Sequence, residues 1–322
     1  MDLIKAIEAK FGSVRMSAGS NGTEYLVVCP HCGKRKLSIN LSKGVYQCWH
    51  GCCSGRLSTL LHMKLPKVAP VIAKKRSYGY IEPGETVKLS LLSSDHQANL
   101  YIKARGFDPE YLENTFGVCW CKTGKKFAGG TYDTTNTLIL PVTRDGKQIG
   151  WQSRLLYNPD DVPEDSIPYM GWKFDEEENR YIKPSKYMTM PGYDKQDNLY
   201  NYDLAKEGEM VVVTEGAFDC MAVGKCAVAT FGKGVSDGQV EIIKNTWKVA
   251  VLLLDPDAED AQMKLMHKLS RSVITLPVRL VGYKDAGECP QAEIWRQINH
   301  AVKSDRTLSS LGLTLQSMRF KV

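Results

Sequence analysis

The feature that most constrains this chain is a strand–helix alternation that begins near residue 206 and runs to about 302. Four short runs rich in apolar residues, 210–214 (MVVVT), 226–230 (CAVAT), 248–254 (KVAVLLL) and 273–278 (VITLPV), are separated by helical stretches at 217–224, 237–246, 258–271 and 290–302. A strand with one wet face alternates apolar with polar residues. A strand that is apolar throughout is buried on both faces, and between helices that predicts a mainly parallel sheet covered on two sides. No internal repeat is visible.

Acidic residues stand where two of these strands end. The first strand leads into Thr214-Glu215-Gly216-Ala217-Phe218-Asp219 and the third into Leu254-Asp255-Pro256-Asp257. In open α/β sheets the functional groups gather at the carboxyl ends of the strands. If the two strands are neighbours, Glu215, Asp255 and Asp257 converge on one edge. Crowded carboxylates repel one another, and hard oxygen ligands in that number predict Mg²⁺ or Mn²⁺ rather than zinc. Gly216 is expected to let the backbone turn sharply at the strand end.

The N-terminal third is of another kind. Five of the ten cysteines fall between residues 29 and 53, in Cys29-Pro-His-Cys32 and Cys48-Trp-His-Gly-Cys52-Cys53. The N-terminus MDLIKAIEAK carries acids and no apolar core, so no secretory signal is expected, and clustered thiols then read as metal ligands rather than disulfides. Two knuckles on facing turns, with strand-like runs at 25–28, 37–41 and 45–47, predict a structural zinc site held by Cys29, Cys32 and Cys48. The fourth ligand is Cys52, with Cys53 as the alternative and His50 as a substitute. Residues 1–90 hold 14 Lys/Arg against 5 Asp/Glu, whereas the chain as a whole is only +6. A basic front of this kind suits a polyanion. Around the knuckles, Lys34, Arg35, Lys36, Lys43 and Arg56 supply charge, and Trp49 and Tyr46 are available to stack on bases.

The predicted organisation is multi-domain α/β: a small β zinc-binding domain over 1–63, a linker over 64–90, a mixed α+β subdomain over 91–205, an α/β catalytic domain over 206–302 and a tail over 303–322. Within the third segment, 136–142 and 147–156 flank an Asp-Gly pair at 145–146 and predict a hairpin, residues 95–105 predict a helix ending at Gly106, and the polar run 157–183 predicts loops.

Glu215-Gly216…Asp219 followed by Asp255-x-Asp257 resembles the Toprim module shared by bacterial-type primases, topoisomerases and some nucleases. Residues 140–155 (LPVTRDGKQIGWQSRL), 184–188 (PSKYM) and 99–117 (NLYIKARGFDPEYLENTFG) are similar to the basic strand, the Lys-Tyr segment and the opening helix with its Arg-Gly turn in the bacterial-type (DnaG-like) primase RNA-polymerase core. The knuckle pair resembles that family's zinc ribbon. The resemblance covers roughly residues 20–300 in the family's order. It implies Glu215, Asp255 and Asp257 as catalytic, metal-holding acids with Asp219 in support. It also implies Arg154, Lys186 and Lys233 as residues facing nucleotide or template, and Asp285, in Tyr283-Lys284-Asp285-Ala286, as a further family acid. The second knuckle departs from the family's usual two intervening residues, and Lys284-Asp285-Ala286 lacks the proline often found there.

The expected function is therefore a DNA primase, a nucleotidyltransferase making short RNA primers on a single-stranded DNA template from ribonucleoside triphosphates. Structural Zn²⁺ and catalytic Mg²⁺ or Mn²⁺ are the expected cofactors. The alternatives are a Toprim-type nuclease and a non-enzymatic DNA-binding recombination mediator. No Gly-x-x-x-x-Gly-Lys-[Ser/Thr] loop occurs, and little chain follows residue 302. A compact, phage-encoded form is expected on that ground, cytoplasmic, without a membrane segment, and with a replicative helicase as a partner by family role.

Overall fold

The computed structural model describes residues 3–16, 24–41, 44–61, 79–232, 234–270, 272–305 and 308. The chain divides into two compact units, 1–77 and 78–322.

The first unit opens with helix α1 (Leu3–Phe11), followed by strands β1 (Arg15–Met16), β2 (Glu24–Val27), β3 (Leu37–Asn40), β4 (Val45–Cys48) and β5 (Ser54–Arg56) and the short helix α2 (Leu57–Leu61). The strands form one antiparallel sheet in chain order, with Val27 opposite Leu37 and Leu37 opposite Cys48. Ile7, Val27, Leu37, Ile39 and Leu57 make the core, together with the fully buried Cys29 and Cys48. In a core this small a metal held by the cysteines would supply much of the stability.

The second unit begins with strand β6 (Gly84–Lys88), helices α3 (Gln97–Ala104) and α4 (Pro109–Phe116), and strand β7 (Cys119–Gly124). The predicted linker over 64–90 thus contributes a strand; its residues 64–78 lie outside the described part. Helix α4 starts at Pro109 because Asp108 accepts hydrogen bonds from the Glu110 and Tyr111 amides, and it stops at Gly117, whose φ is +69°. A two-strand ladder follows, β8 (Lys126–Phe127) with β9 (Tyr132–Asp133). Next comes the predicted hairpin, β10 (Thr137–Arg144) and β11 (Lys147–Leu155). Its turn residues Asp145 and Gly146 both have positive φ, +52° and +73°, the conformation a two-residue hairpin turn demands.

The run 157–183, expected as loops, contains two short 3₁₀ segments and a second small ladder, β12 (Phe174–Asp175) with β13 (Arg180–Tyr181). Strand β14 (Tyr187–Thr189) then completes an antiparallel sheet in the order β14-β11-β10-β7-β6.

After the single turn α5 (Tyr202–Ala205) comes the alternating region: β15 (Met210–Thr214), α6 (Ala217–Val223), β16 (Ala227–Ala229), α7 (Asp237–Thr246), β17 (Val249–Leu252), α8 (Glu259–Leu269), β18 (Ile274–Pro277) and α9 (Gln291–Ser304). The four strands are parallel in the order β16-β15-β17-β18. Alternate residues of β15 serve two cores. Met210 and Val212 pack with α6, α9 and β10, whereas Val211 and Val213 pack with Val240, Ile243, Leu265 and Leu269 of α7 and α8. Burial on both faces is why these strands read as unbroken apolar runs. Among the described residues no helix is long and apolar enough to cross a membrane.

Candidate functional site

Strands β15 and β17 are adjacent and parallel, with Val213 opposite Leu252, so both chains leave the sheet at the same edge. One oxygen from each of Glu215, Asp255 and Asp257 lies within 4.8 Å of the others. Glu215 is buried, Asp255 half-buried and Asp257 exposed, and the Asp255 amide donates to Glu215 Oε1 at 3.2 Å. Two carboxylates at such a separation repel by about 3 kcal/mol at an effective dielectric constant of about 20. An ordinary surface ion pair returns only about 0–1 kcal/mol. The all-oxygen donor set and its spacing fit a hard divalent cation, whose ligand oxygens sit about 3–4 Å apart around a 2.1 Å coordination radius.

Asp219 stands one helical turn beyond Glu215 and is used differently. Its Oδ2 accepts from the Gly216 amide at 3.1 Å and its Oδ1 from the Gly287 amide at 2.9 Å. Burial, reinforced by Asp285 and Asp255, pushes its carboxyl up to about 7. Asp285 in turn accepts from the Glu288 amide at 3.0 Å, capping the 3₁₀ turn Ala286–Glu288. Gly216 has an extended backbone, φ −107°, so the expected sharp turn is not its role. A Cβ there would lie 2.7 Å from Asp219 Oδ2, so a larger residue would displace the carboxylate that accepts from the Gly216 amide. Around Gly287 the groups converge: a Cβ at that position would lie 3.2 Å from Asp219 Oδ1, 3.3 Å from Asp285 Oδ1 and 3.4 Å from Arg105 Nη2.

Two arginines border this acidic group. Arg154, on β11 opposite Tyr187, is only 6% exposed. Its guanidinium lies 4.9 Å from the Tyr187 ring centre and 5.6 Å from that of Tyr101. Nη1 donates to the carbonyls of Tyr157 and Lys186 at 3.2 and 3.3 Å, and Nε has no partner. Arg105 stacks on Phe218 at 4.6 Å and approaches Tyr101 at 5.9 Å, and its Nε is likewise buried without a partner. Among the described residues neither arginine has a carboxylate within 4 Å. For the buried Arg154 a cation without a counter-ion costs several kcal/mol, and a phosphate bound there would offset that cost. Burial pushes the Tyr187 phenol up to about 12, against the lowering influence of Arg154 and Arg105, so it stays neutral at physiological pH.

The other sequence-predicted residues fall as follows. Lys186 is exposed, with Nζ 3.3 Å from Asp160 Oδ2. Lys233 lies outside the described residues; Gly232 beside it has a φ of +152°. Arg105 and Tyr101 sit within the stretch that carries the opening-helix resemblance, yet nothing local in the sequence distinguishes a half-buried arginine without a carboxylate partner from a solvated one.

In the first unit the sulfurs of Cys29, Cys32, Cys48 and Cys52 lie within 4.8 Å of one another. Cys29 to Cys52 is 3.5 Å and Cys32 to Cys48 is 3.8 Å, close to the roughly 3.8 Å edge of a tetrahedron of Zn–S bonds near 2.3 Å. This donor set fits zinc. Cys53 Sγ is 3.6 Å from Cys29 Sγ but outside the set of four, and His50 lies at the surface, 3.2 Å from Lys34 Nζ.

The odd spacing has a geometric reason. In the first knuckle, Gly33 (φ +67°) follows the second cysteine and donates to the Cys29 carbonyl; in the second, Gly51 (φ +73°) precedes Cys52 and donates to the Cys48 carbonyl. Burial opposes ionisation of Cys29, but the Cys32 and His31 amides and the Cys52 and Cys53 thiols outweigh it and bring the thiol to about 6. Trp49 is 66% exposed, whereas Tyr46 packs over Gly55, where a Cβ would come within 3.1 Å of its hydroxyl. Tyr46 is thus held by packing rather than presented for stacking. Arg35 is turned to Ser13, donating to its carbonyl and hydroxyl at 3.0 and 2.9 Å, and Lys43 lies outside the described residues.

No protein-family model matches this chain, and no curated protein matches it in sequence. Solved structures do. A DnaG primase catalytic domain bound to single-stranded DNA is 16% identical and aligns over 66% of this chain and 73% of its own, with a TM-score of 0.50. The fold is that of the DnaG-type primases. The zinc-binding and RNA-polymerase domains of the Aquifex aeolicus primase are 18% identical over 93% of this chain and 83% of theirs, with a TM-score of 0.47. A primase domain from Pseudomonas aeruginosa is 18% identical over 68% and 75%, at 0.49. In this DnaG-type frame the parallel sheet carries the three acids at its carboxyl edge, and the antiparallel sheet carries Arg154 and Tyr187.

Proposed function

We propose that this chain is a DNA primase, a nucleotidyltransferase that joins ribonucleotides on a single-stranded DNA template. The observation that carries the reading is the pairing of three strand-end carboxylates with a buried arginine, Arg154, and a half-buried one, Arg105, neither of which has a carboxylate within 4 Å among the described residues. Glu215, Asp255 and Asp257 hold divalent ions, which when bound supply charge neutralisation at the phosphates. Arg105 and Arg154 bind phosphate oxygens beside Tyr101 and Tyr187, whose rings lie against the guanidinium groups. Asp219 holds the Gly216 and Gly287 amides, positioning the loop that brings Asp285 and Arg105 together. The catalysis is positioning and electrostatics: the 3′ hydroxyl oxygen loses its proton to water and bonds to the α-phosphorus of the incoming ribonucleotide as the bond to pyrophosphate breaks. The basic zinc module, with Trp49 exposed, holds single-stranded template. The reading brings with it ribonucleoside triphosphates as substrates, a replicative helicase as a partner and a cytoplasmic location.

The test is incubation with single-stranded DNA of varied sequence, labelled ribonucleotides and Mg²⁺. Short labelled RNA, lost in Asp255→Asn and Asp257→Asn while DNA binding persists, supports the reading. Degraded DNA without synthesis identifies a Toprim-type nuclease. DNA binding with neither product, unchanged in the variants, identifies a mediator.

A further inference from the structure

We propose that Lys183 and Lys186 form a subsite for one phosphate group, and that the carboxylate of Asp160 occupies it until a phosphate displaces it. The proposal rests on the nucleic-acid reading given above. Asp160 Oδ1 meets Lys183 Nζ at 2.5 Å, and Oδ2 meets Lys186 Nζ at 3.3 Å. Two oxygens of one anion thus bridge two separate ammonium groups, which is how two oxygens of a phosphate engage a pair of lysines.

The carboxylate is held there by design of the loop. Asn158 accepts from the Asp160 amide at 3.2 Å and caps the turn Pro159–Asp161, whose Pro159 is buried. Just before it, the Tyr157 carbonyl takes a hydrogen bond from Arg154. The lysine side is pinned by the same element: the Lys186 carbonyl accepts from Arg154 Nη1 and from the Leu155 amide at 3.1 Å. Both arms of the clamp therefore start from Arg154. Lys183 and Lys186 hold the Asp160 carboxyl below the usual carboxylate range, so it remains charged.

All three side chains are 43–54% exposed. An exposed ion pair resists displacement only weakly, so a phosphate has a few-fold barrier to overcome rather than a closed gate. Asp160 lowers non-productive retention of stray anions between two lysines that otherwise carry an unneutralised charge of two.

The source of the phosphate is a strand backbone or a free nucleotide, and the test separates them. Full-length protein is titrated with a fluorescent single-stranded oligodeoxynucleotide, and in a second arm with ATP, across a range of salt concentrations. Asp160→Asn is expected to tighten binding of at least one ligand by roughly two- to five-fold. If the ligand is the strand, the salt slope steepens by up to about 0.7, one added phosphate contact. Adding Lys183→Ala to Asp160→Asn is expected to abolish the gain. Tightening for DNA alone assigns the subsite to the strand, and tightening for ATP alone assigns it to the nucleotide. Unchanged or weaker binding of both ligands, in a variant that melts like the parent, overturns the proposal and leaves Asp160 as a pin for its own loop. If the parent makes no RNA but Asp160→Asn still tightens binding, the subsite stands and the primase reading falls.

Discussion

At the scale of single residues, two neighbouring cysteines have different surroundings. Cys52 lies in the four-sulfur set, and Cys53 is near Cys29 alone. Zinc content per chain, measured by plasma mass spectrometry, is therefore expected to stay near one in Cys53→Ser and to fall well below one in Cys52→Ser. The reverse pattern would move the fourth ligand to Cys53. Spacing alone left this choice open, because the sequence does not say that Gly51 takes the positive-φ corner before its cysteine rather than after it. The three strand-end acids were legible for the opposite reason: the apolar runs before them fix where the strands stop, and parallel pairing does the rest. Arg105 was not legible as a site residue. Its significance comes from Phe218 and Gly287, which lie more than a hundred positions away in sequence.

Among the elements, the alternation from 206 to 302 is seen almost where periodicity puts it, and the Asp145-Gly146 hairpin likewise. The polar strand Gly84–Lys88 was missed because it is an edge strand of mixed composition that follows a proline-containing segment. Its partner is constrained more tightly than its sequence suggests. A Cβ at Gly124, at the end of β7, would lie 2.0 Å from the Thr135 amide nitrogen and 2.4 Å from the Thr134 carbonyl carbon. These are backbone atoms, which cannot swing aside. Gly124→Ala is expected to cost about 2 kcal/mol or more, lowering the calorimetric Tm of the second unit by roughly 4–8 °C. A change below one degree would show that the β6–β7 edge is loosely held.

For the whole molecule, the decisive property is that two units carry two kinds of stability. The first has a small core built partly of cysteine, and the second buries two large apolar layers around a parallel sheet. Chelation of zinc is expected to erase amide hydrogen-exchange protection across residues 24–57 while leaving that of β15 to β18 intact. Protection lost from both at once would mean that the chain unfolds as one body. The DnaG-type fold itself was legible from motif order, whereas the 16% identity to a solved catalytic domain leaves the chemistry to be read from the side chains of this chain. In the proposed chemistry Glu215, Asp255 and Asp257, whose oxygens lie within 4.8 Å of one another, act together as a cation site. Titration of the zinc-loaded protein with Mn²⁺, followed by electron paramagnetic resonance, is the direct measurement. Saturable binding in the parent, weakened at least ten-fold in Asp255→Asn and in Glu215→Gln, is the expected result; equal Mn²⁺ affinity in parent and variants would contradict it.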